Sequence, residues 1–243
     1  MDSIITPNWP VPSNIKAFVS TRIGGVSQRP YDSFNMGAHV GDVPQDVTSN
    51  RLLLKTLACY PGEIQWLNQI HSTSVLELPS SKQDRNADAC YTDQANTVCA
   101  VLTADCLPVL FCDPNTLQVA AAHAGWRGLC DGVLEETLKV FSNPQDVVVW
   151  FGPAIGPDAF EVGPEVRSAF MAVDPAAEQA FKRSGHDGKW LGDLYAIARQ
   201  RLSSQGCCNI YGGDFCTFSD VERFYSYRRD GVTGRMASLI WQE

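Results

Sequence analysis

The chain has no run of lysines or arginines. Its 19 basic residues are interspersed among 27 acidic ones, leaving a formal charge of -8 over 243 residues. It therefore offers no footprint to a nucleic acid or an anionic membrane surface. It also lacks an apolar run of spanning length. The most apolar stretch, Val98 to Phe111, is interrupted by Thr103, Asp105 and Pro108 and falls short of the roughly 20 residues that cross a bilayer. Met1 to Pro7 shows no basic segment followed by an apolar one, so no export signal is expected and the expected location is the cytoplasm. No Cys-x-x-Cys pair is present, which leaves out a zinc ribbon and a thioredoxin-like redox motif. Nine cysteines, an odd number in a chain without an export signal, read as free thiols, most of them small buried apolar residues. Histidine is scarce as well: there are four, and no His-x-His pair.

What is present is enough apolar residue, 44% of the chain, to bury a sizeable core. Ala17 to Thr21 reads as a strand running into the Gly24-Gly25 loop. Asp42 to Tyr60, stopping before Pro61-Gly62, reads as a helix. Ile64 to Leu78 has an extended pattern broken at Asn68 to Ser72, which places His71 between two strands. Val98–Leu102 and Val109–Cys112 read as buried strands with Cys106 at the bend between them, since Pro108 cannot donate to a ladder. Leu117 to Ser142 reads as a strand ending at His123, a turn at Ala124-Gly125 and a helix, and Val147 to Phe151 closes a βαβ unit. Helices are expected at Pro164–Val173, Pro175–Arg183 and Leu191–Gln205, with strands near Ile210, Phe224–Tyr227 and Met236–Trp241. No repeat, linker or low-complexity tract divides the chain, so residues 1–243 are expected to form one α/β domain with mixed β-sheets covered by helices.

The candidate chemistry lies at His71, Cys106 and His123. A catalytic zinc takes three protein ligands and keeps a fourth position open, and these three fall at strand ends and a bend, where ligands bind in open α/β sheets. Their separations, 35 and 17 residues by subtraction of residue numbers, fit no local motif, so residue type and spacing alone leave packing and metal ligation both open.

Longer motifs narrow this. Thr21-Arg22-Ile23-Gly24-Gly25-Val26-Ser27, Asn68-Gln69-Ile70-His71, Asp88-Ala89-Cys90-Tyr91-Thr92-Asp93, Leu102 to Val109, Ala122-His123-Ala124-Gly125-Trp126-Arg127-Gly128 and Gly152-Pro153-Ala154-Ile155-Gly156 resemble the YfiH family. The resemblance runs from about Ala17 to Trp241. That family is also described as the laccase-domain or multicopper polyphenol oxidase family, as peptidoglycan editing factors, and as zinc-dependent purine nucleoside phosphorylases. The resemblance implies a His, Cys, His metal set at His71, Cys106 and His123. It also implies a fold shared with the catalytic domain of cytotoxic necrotising factors. The implied activity is phosphorolysis of adenosine, inosine, guanosine and methylthioadenosine, with adenosine deamination beside it. The implied cofactor is Zn2+, with Cu2+ as the other metal the set would accept.

The residues test these implications. A laccase needs a copper cluster held largely by imidazoles, which four histidines without a His-x-His pair do not supply, although one copper fits a His, Cys, His set. Polyphenol oxidation is thus expected only as a side activity. The His-x-Glu and Pro-Cys-x-x-Cys signature of cytidine-type deaminases is absent. Arg127, in the first turn of the helix expected after His123, is a candidate catalytic phosphate contact, because a cation there opposes the helix dipole and a bound anion relieves it. The alternative is an ion pair with Asp105 or Asp93. Arg22 is a candidate second anion contact, and Asn35 and Gln69 are candidates for binding a base or sugar. Tyr227, Arg228 and Arg229 also resemble a family motif. Two other readings stay open. In one, Cys106 is a nucleophile activated by His123, as in an amidase that edits a peptidoglycan precursor. In the other, the metal is a structural staple with a fourth ligand such as Asp105 or Cys112. The expected partners are a purine nucleoside and phosphate, without nucleic acid or membrane. Oligomeric state is not encoded in any motif.

Overall fold

The computed structural model describes residues 2–243. Its centre is a six-stranded mixed sheet built from β3 (Val75–Glu77), β4 (Ala89–Thr92), β6 (Leu107–Cys112), β7 (Val119–Ala124), β8 (Val148–Phe151) and β12 (Asn209–Gly212), in the order β12-β8-β6-β7-β4-β3. The outer pairs, β12 with β8 and β3 with β4, are parallel, and the inner ones antiparallel. A second, antiparallel sheet joins β1 (Ile4–Ile5), β2 (Ile15–Ser20), β13 (Met236–Gln242) and β5 (Cys99–Thr103) in the order β1-β2-β13-β5. A small third sheet holds β9 (Glu161–Val162), β10 (Phe181–Arg183) and β11 (Trp190–Gly192).

Alternation along the central strands explains the layering. Val109 and Phe111 of β6 face one way with Ala120 and Ala122 of β7, and pack under Leu129, Val133, Leu138, Ile197 and Leu202. Those residues come from α2 (Trp126–Asp131), α3 (Val133–Leu138) and α5 (Leu194–Ser204). Leu110, Cys112, Val119 and Ala121 face the other way onto Val19, Val101 and Ile240 of the second sheet. Beyond that sheet, α1 (Pro44–Ala58) buries Leu54 and Ala58 against Leu239 and Trp241. Four layers result, helix on sheet on sheet on helix. The central strands read as continuous apolar runs because both their faces are covered. All nine cysteines are unpaired, and among the described residues no helix is long and apolar enough to cross a membrane.

Most expected elements are present, with five differences of physical interest. The helix expected after β7 is split in two at Gly132, which adopts φ +104°. The expected βαβ unit is there in a wider form, since β7 and β8 run parallel with β6 between them. Leu191–Gln205 is a short strand, β11, and then α5, separated by Asp193, whose side chain accepts the Ala196 amide and caps the helix. The helix expected at Pro175–Arg183 is a single 3-10 segment, Pro175–Ala180, followed by β10, while α4 (Pro164–Val173) matches its expected bounds. Phe224–Tyr227, expected as a strand, is irregular chain leading into α6 (Tyr227–Asp230), whose start is capped by Ser226.

Candidate metal centre

The loops at one end of the two stacked sheets make the site. Cys106 lies on the segment that leaves β5 of the second sheet and enters β6 of the central one. His123 is on β7, opposite Pro108. His71 is not between strands as expected but in a bend before β3, in left-handed backbone at φ 60°.

One buried carboxylate holds this unusual loop. Asp88 accepts hydrogen bonds from the backbone N–H groups of Ile70 (3.2 Å), His71 (3.0 Å) and Ser72 (2.6 Å), and from the Ser72 hydroxyl (2.8 Å). It also accepts from His123 Nδ1 at 2.8 Å. That last bond leaves His123 Nε2 for the cluster, the arrangement by which a carboxylate fixes the tautomer and orientation of a ligating imidazole. Burial works against the Asp88 anion, but the bonds from His123 and Ser72 outweigh it and hold the carboxyl at about 2.

The ligand atoms of His71, Cys106 and His123 all lie within 4.8 Å of one another. Cys106 Sγ is 3.9 Å from His71 Nε2, and the two imidazoles meet edge to face with centroids 4.9 Å apart. Burial opposes the Cys106 thiolate, yet the charge of His123 and hydrogen bonds from both histidines bring the thiol down to about 6. In turn burial opposes protonation of His123, while the Cys106 thiolate and Asp88 raise it to about 9. Gly125 completes the cradle: a Cβ there would lie 2.6 Å from His71 Cδ2 and 3.1 Å from Cys106 Sγ. A thiolate, two imidazoles and a glycine-walled opening fit a borderline-soft ion such as zinc with one position left for substrate or water, and the same donors suit copper. Among the described residues no fourth ligand joins the group. Asp105 is engaged elsewhere, accepting from Thr217 Oγ1 and the Arg228 amide, each at 2.6 Å. Cys112 lies at the far end of β6.

The cluster opens into a cleft with three chambers. The central one, about 330 Å³, is walled by Gln69, Leu102, Thr103, His39, Tyr227 and Arg235 around the three ligands. Next to it, sharing Ala104, Cys106 and Tyr227, is an apolar chamber of about 160 Å³ bounded by Trp126, Ile155, Phe160 and Leu194. A wider outer chamber shares His39 and Leu102 with the central one and carries Arg51, Trp66 and Arg85.

The other expected site residues are placed differently. Gln69 lines the cleft, but its amide is committed to the backbone of Leu102, donating to the carbonyl and accepting from the N–H, each at 2.8 Å. Arg22 pairs with Asp32 and donates to backbone carbonyls of Asp32 and Val221, so it ties loops together. Asn35 is fully buried and bonds Gly37, Asp42 and the Arg235 amide. Arg127 is exposed, with its guanidinium 4.5 Å from the Trp126 ring centroid; it pairs neither with Asp105 nor with Asp93 and stands outside the central chamber. The first turn of a six-residue helix gives it little dipole to oppose. Three residues of the site escaped sequence reasoning. Asp88 stands inside a motif shared with the family, but only the fold reveals that it faces His71 and His123. His39 and Arg235 lie outside every motif that drew attention, and no local signal marks them.

The fold and the cluster define a class of layered α/β proteins with a His, Cys, His pocket, and comparison with known proteins agrees. The family model described as multi-copper polyphenol oxidoreductase laccase matches residues 16–243. A protein of Escherichia coli K12 named purine nucleoside phosphorylase YfiH is 55% identical over 243 residues, covering 99% of both chains. A purine nucleoside phosphorylase of Pseudomonas aeruginosa is 51% identical with the same coverage. A crystal structure of a Neisseria meningitidis protein superposes with TM-score 0.93 at 48% identity over all of both chains. YlmD of Geobacillus stearothermophilus gives 0.88 at 32% identity, covering 95% of this chain and 93% of that one. The chain belongs to the YfiH family of laccase-like proteins.

Proposed function

We propose that the chain is a metal-dependent purine nucleoside phosphorylase, with zinc held by His71, Cys106 and His123 and adenosine, inosine, guanosine and methylthioadenosine as substrates. The observation that carries the reading is a juxtaposition: a three-donor cluster lies between an aromatic chamber and one lined by arginines. The names of the Escherichia coli and Pseudomonas aeruginosa relatives support it.

In phosphorolysis a phosphate oxygen forms a bond to C1′ of the ribose, the C1′–N9 bond breaks with its electron pair going to the purine, and the base leaves protonated. When bound, zinc supplies Lewis acidity at the cluster. The chain's own part is placement. Trp126, Phe160 and Tyr227 present ring faces and edges suited to a flat base. Asp88 keeps the His123 ring fixed through Nδ1, so that Nε2 alone meets the cluster. For a metal to enter, His123 must surrender the Nε2 proton that the Cys106 thiolate and Asp88 hold on it. Hydrolytic deamination of adenosine, with water entering at C6 and ammonia leaving, is proposed as a second activity of the same pocket. Oxidation of phenols by a copper-loaded form, with dioxygen as the electron acceptor, is proposed as a side activity. Among the described residues His71, Cys106 and His123 are the one group of donors that could hold a metal, and the fourth histidine, His186, pairs with Glu161 outside the cleft, which speaks against a multicopper centre.

Zinc-loaded protein incubated with adenosine and phosphate is expected to release adenine and ribose 1-phosphate in equal amounts, with no release when phosphate is omitted. Protein with stoichiometric zinc that releases neither overturns the reading.

A second reading has its own observation. Asp88, His123 and Cys106 are joined in the order carboxylate, imidazole, thiolate, which is the chain of a cysteine nucleophile with its base and orienter. Under this reading the chain is an amidase, for example on a peptidoglycan precursor, and is active after rigorous metal removal. Inactivity of the stripped enzyme with recovery on zinc return excludes it.

A further inference from the structure

The cleft carries more positive charge than its neighbours neutralise. Arg51 is fixed in place: Nε and Nη2 donate to the Met36 carbonyl at 3.0 and 2.7 Å, and the guanidinium lies 4.2 Å from the Trp66 ring centroid. Its Nη1 has no hydrogen-bond partner among the described residues, and no carboxylate pairs with it. Arg235 donates from Nη1 to the carbonyls of Thr233 and Gly234, and it too has no ion-pair partner among the described residues. Arg85 has no side-chain hydrogen bond at all, and its Nε is buried without a partner. A buried donor left unpaired costs free energy, and buried charges are normally paired. His39 joins the inner and outer chambers, where burial and then the charges of Arg235 and Arg51 lower its pKa. Two carboxylates are near. Asp84 lines the outer chamber with Oδ1 engaged by the Asn86 amide; Arg235 faces first the Cys106 thiolate, which the metal would take up, and then Asp105, which is spent on Thr217 and Arg228. In a chain of net charge -8 this is a local inversion of sign beside the cluster.

We propose that Arg51, Arg85, Arg235 and His39 form a binding subsite for a phosphoryl group, at the junction of the central and outer chambers. Fixed guanidinium forks match phosphate oxygens in geometry and charge. The group is either free inorganic phosphate or the 5′-phosphate of a nucleotide. In the phosphorylase reading, on which this inference rests, it is the attacking phosphate.

The test reads binding rather than turnover. Inorganic phosphate, adenosine and adenosine 5′-monophosphate are titrated calorimetrically into zinc-loaded wild-type protein, Arg85→Gln, Arg51→Lys and, as a charge-matched control, Arg183→Gln, an exposed residue of β10. Arg85→Gln removes no hydrogen bond of the fold, and Arg51→Lys keeps the charge while losing the fork. Since a hydrogen bond to a charged group is worth about 1.5–3 kcal/mol, each is expected to weaken phosphoryl binding about tenfold or more. Zinc content and adenosine affinity should stay unchanged in both, the melting temperature should stay unchanged in Arg85→Gln, and Arg183→Gln should behave as wild type. Weakened binding of phosphate identifies the free ion as the ligand. Weakened binding of the monophosphate alone identifies a nucleotide. Phosphoryl binding that is absent from wild type, or equal in all four proteins, overturns the subsite. Binding that behaves as expected in a protein that cleaves no nucleoside overturns the phosphorylase reading and leaves the subsite standing.

Discussion

Asp88 binds the His71 loop and the His123 ring at once. It satisfies three consecutive backbone N–H groups and thereby holds the left-handed His71 loop, while its bond to His123 selects the tautomer. Asp88→Asn removes the charge but keeps the shape. It is expected to weaken metal affinity by about 10–100-fold, as loss of a carboxylate behind a ligating imidazole does, and to cost about 1–3 kcal/mol of stability through under-satisfied buried donors. Chelator competition and urea unfolding measure the two effects, and an unchanged affinity would remove Asp88 from the role of orienter. Gly125→Ala isolates the cradle. The new Cβ would lie 2.6 Å from His71 Cδ2, and His71, which is exposed, has room to swing into solvent. A folded protein with native circular dichroism and substoichiometric zinc is the expected result. At this scale the three candidate ligands were legible only through the motifs around them. Asp88 was in view without its role, because a contact between residues 17 and 35 positions away leaves no mark on local pattern. Arg22 and Asn35 misled for the opposite reason: their polarity serves the loops they tie, not a ligand.

Elements were read best where period and punctuation agreed. The runs Val98–Leu102 and Val109–Cys112 announced strands covered on both faces, and α4 was bounded by Pro164 and its last apolar residue. Errors fell where a short element was set by tertiary pairing. Phe181–Arg183 continues a helical pattern, yet pairs with Trp190–Gly192 across a hairpin. Phe224–Tyr227 has the apolar content of a strand, but Asp105 draws the Arg228 amide inward and turns the chain into α6. The split of the helix after β7 turns on Gly132, which ends α2 and caps α3 at φ +104°. Gly132→Ala forces a side chain into that conformation, at a cost of about 1–2 kcal/mol. Because α2 and α3 cover the central sheet behind His123, the expected result in urea is a lower midpoint at constant slope, with zinc stoichiometry retained. A fall in stoichiometry would instead mean that the break aligns the site.

At the scale of the whole molecule, the three candidate ligands come from parts that the fold keeps distinct. His123 belongs to the central sheet, His71 to the loop that Asp88 pins before β3, and Cys106 to the crossing from the second sheet into the first. The α/β class and the mixed sheets were legible in the sequence. The stacking of two sheets was not, since only the pairing of β13 with both β2 and β5 draws the distant C-terminal strand into the second layer. The architecture carries an energetic consequence. Metal that binds only the assembled cluster stabilises the fold by mass action, by about 2.7 kcal/mol at a free concentration one hundred times its dissociation constant. A domain of this size gains about 2–4 °C per kcal/mol. Zinc at that level should therefore raise the melting temperature by about 5–10 °C over protein held in chelator. In Cys106→Ser, which lacks the thiolate, most of the rise should vanish, whereas a variant of the exposed Cys59 should keep it in full. An equal rise in Cys106→Ser would place the stabilising metal elsewhere. No rise in wild type would leave His71, Cys106 and His123 as a thiolate and imidazole network without an ion, and the nucleophile reading would then take precedence over the phosphorylase one.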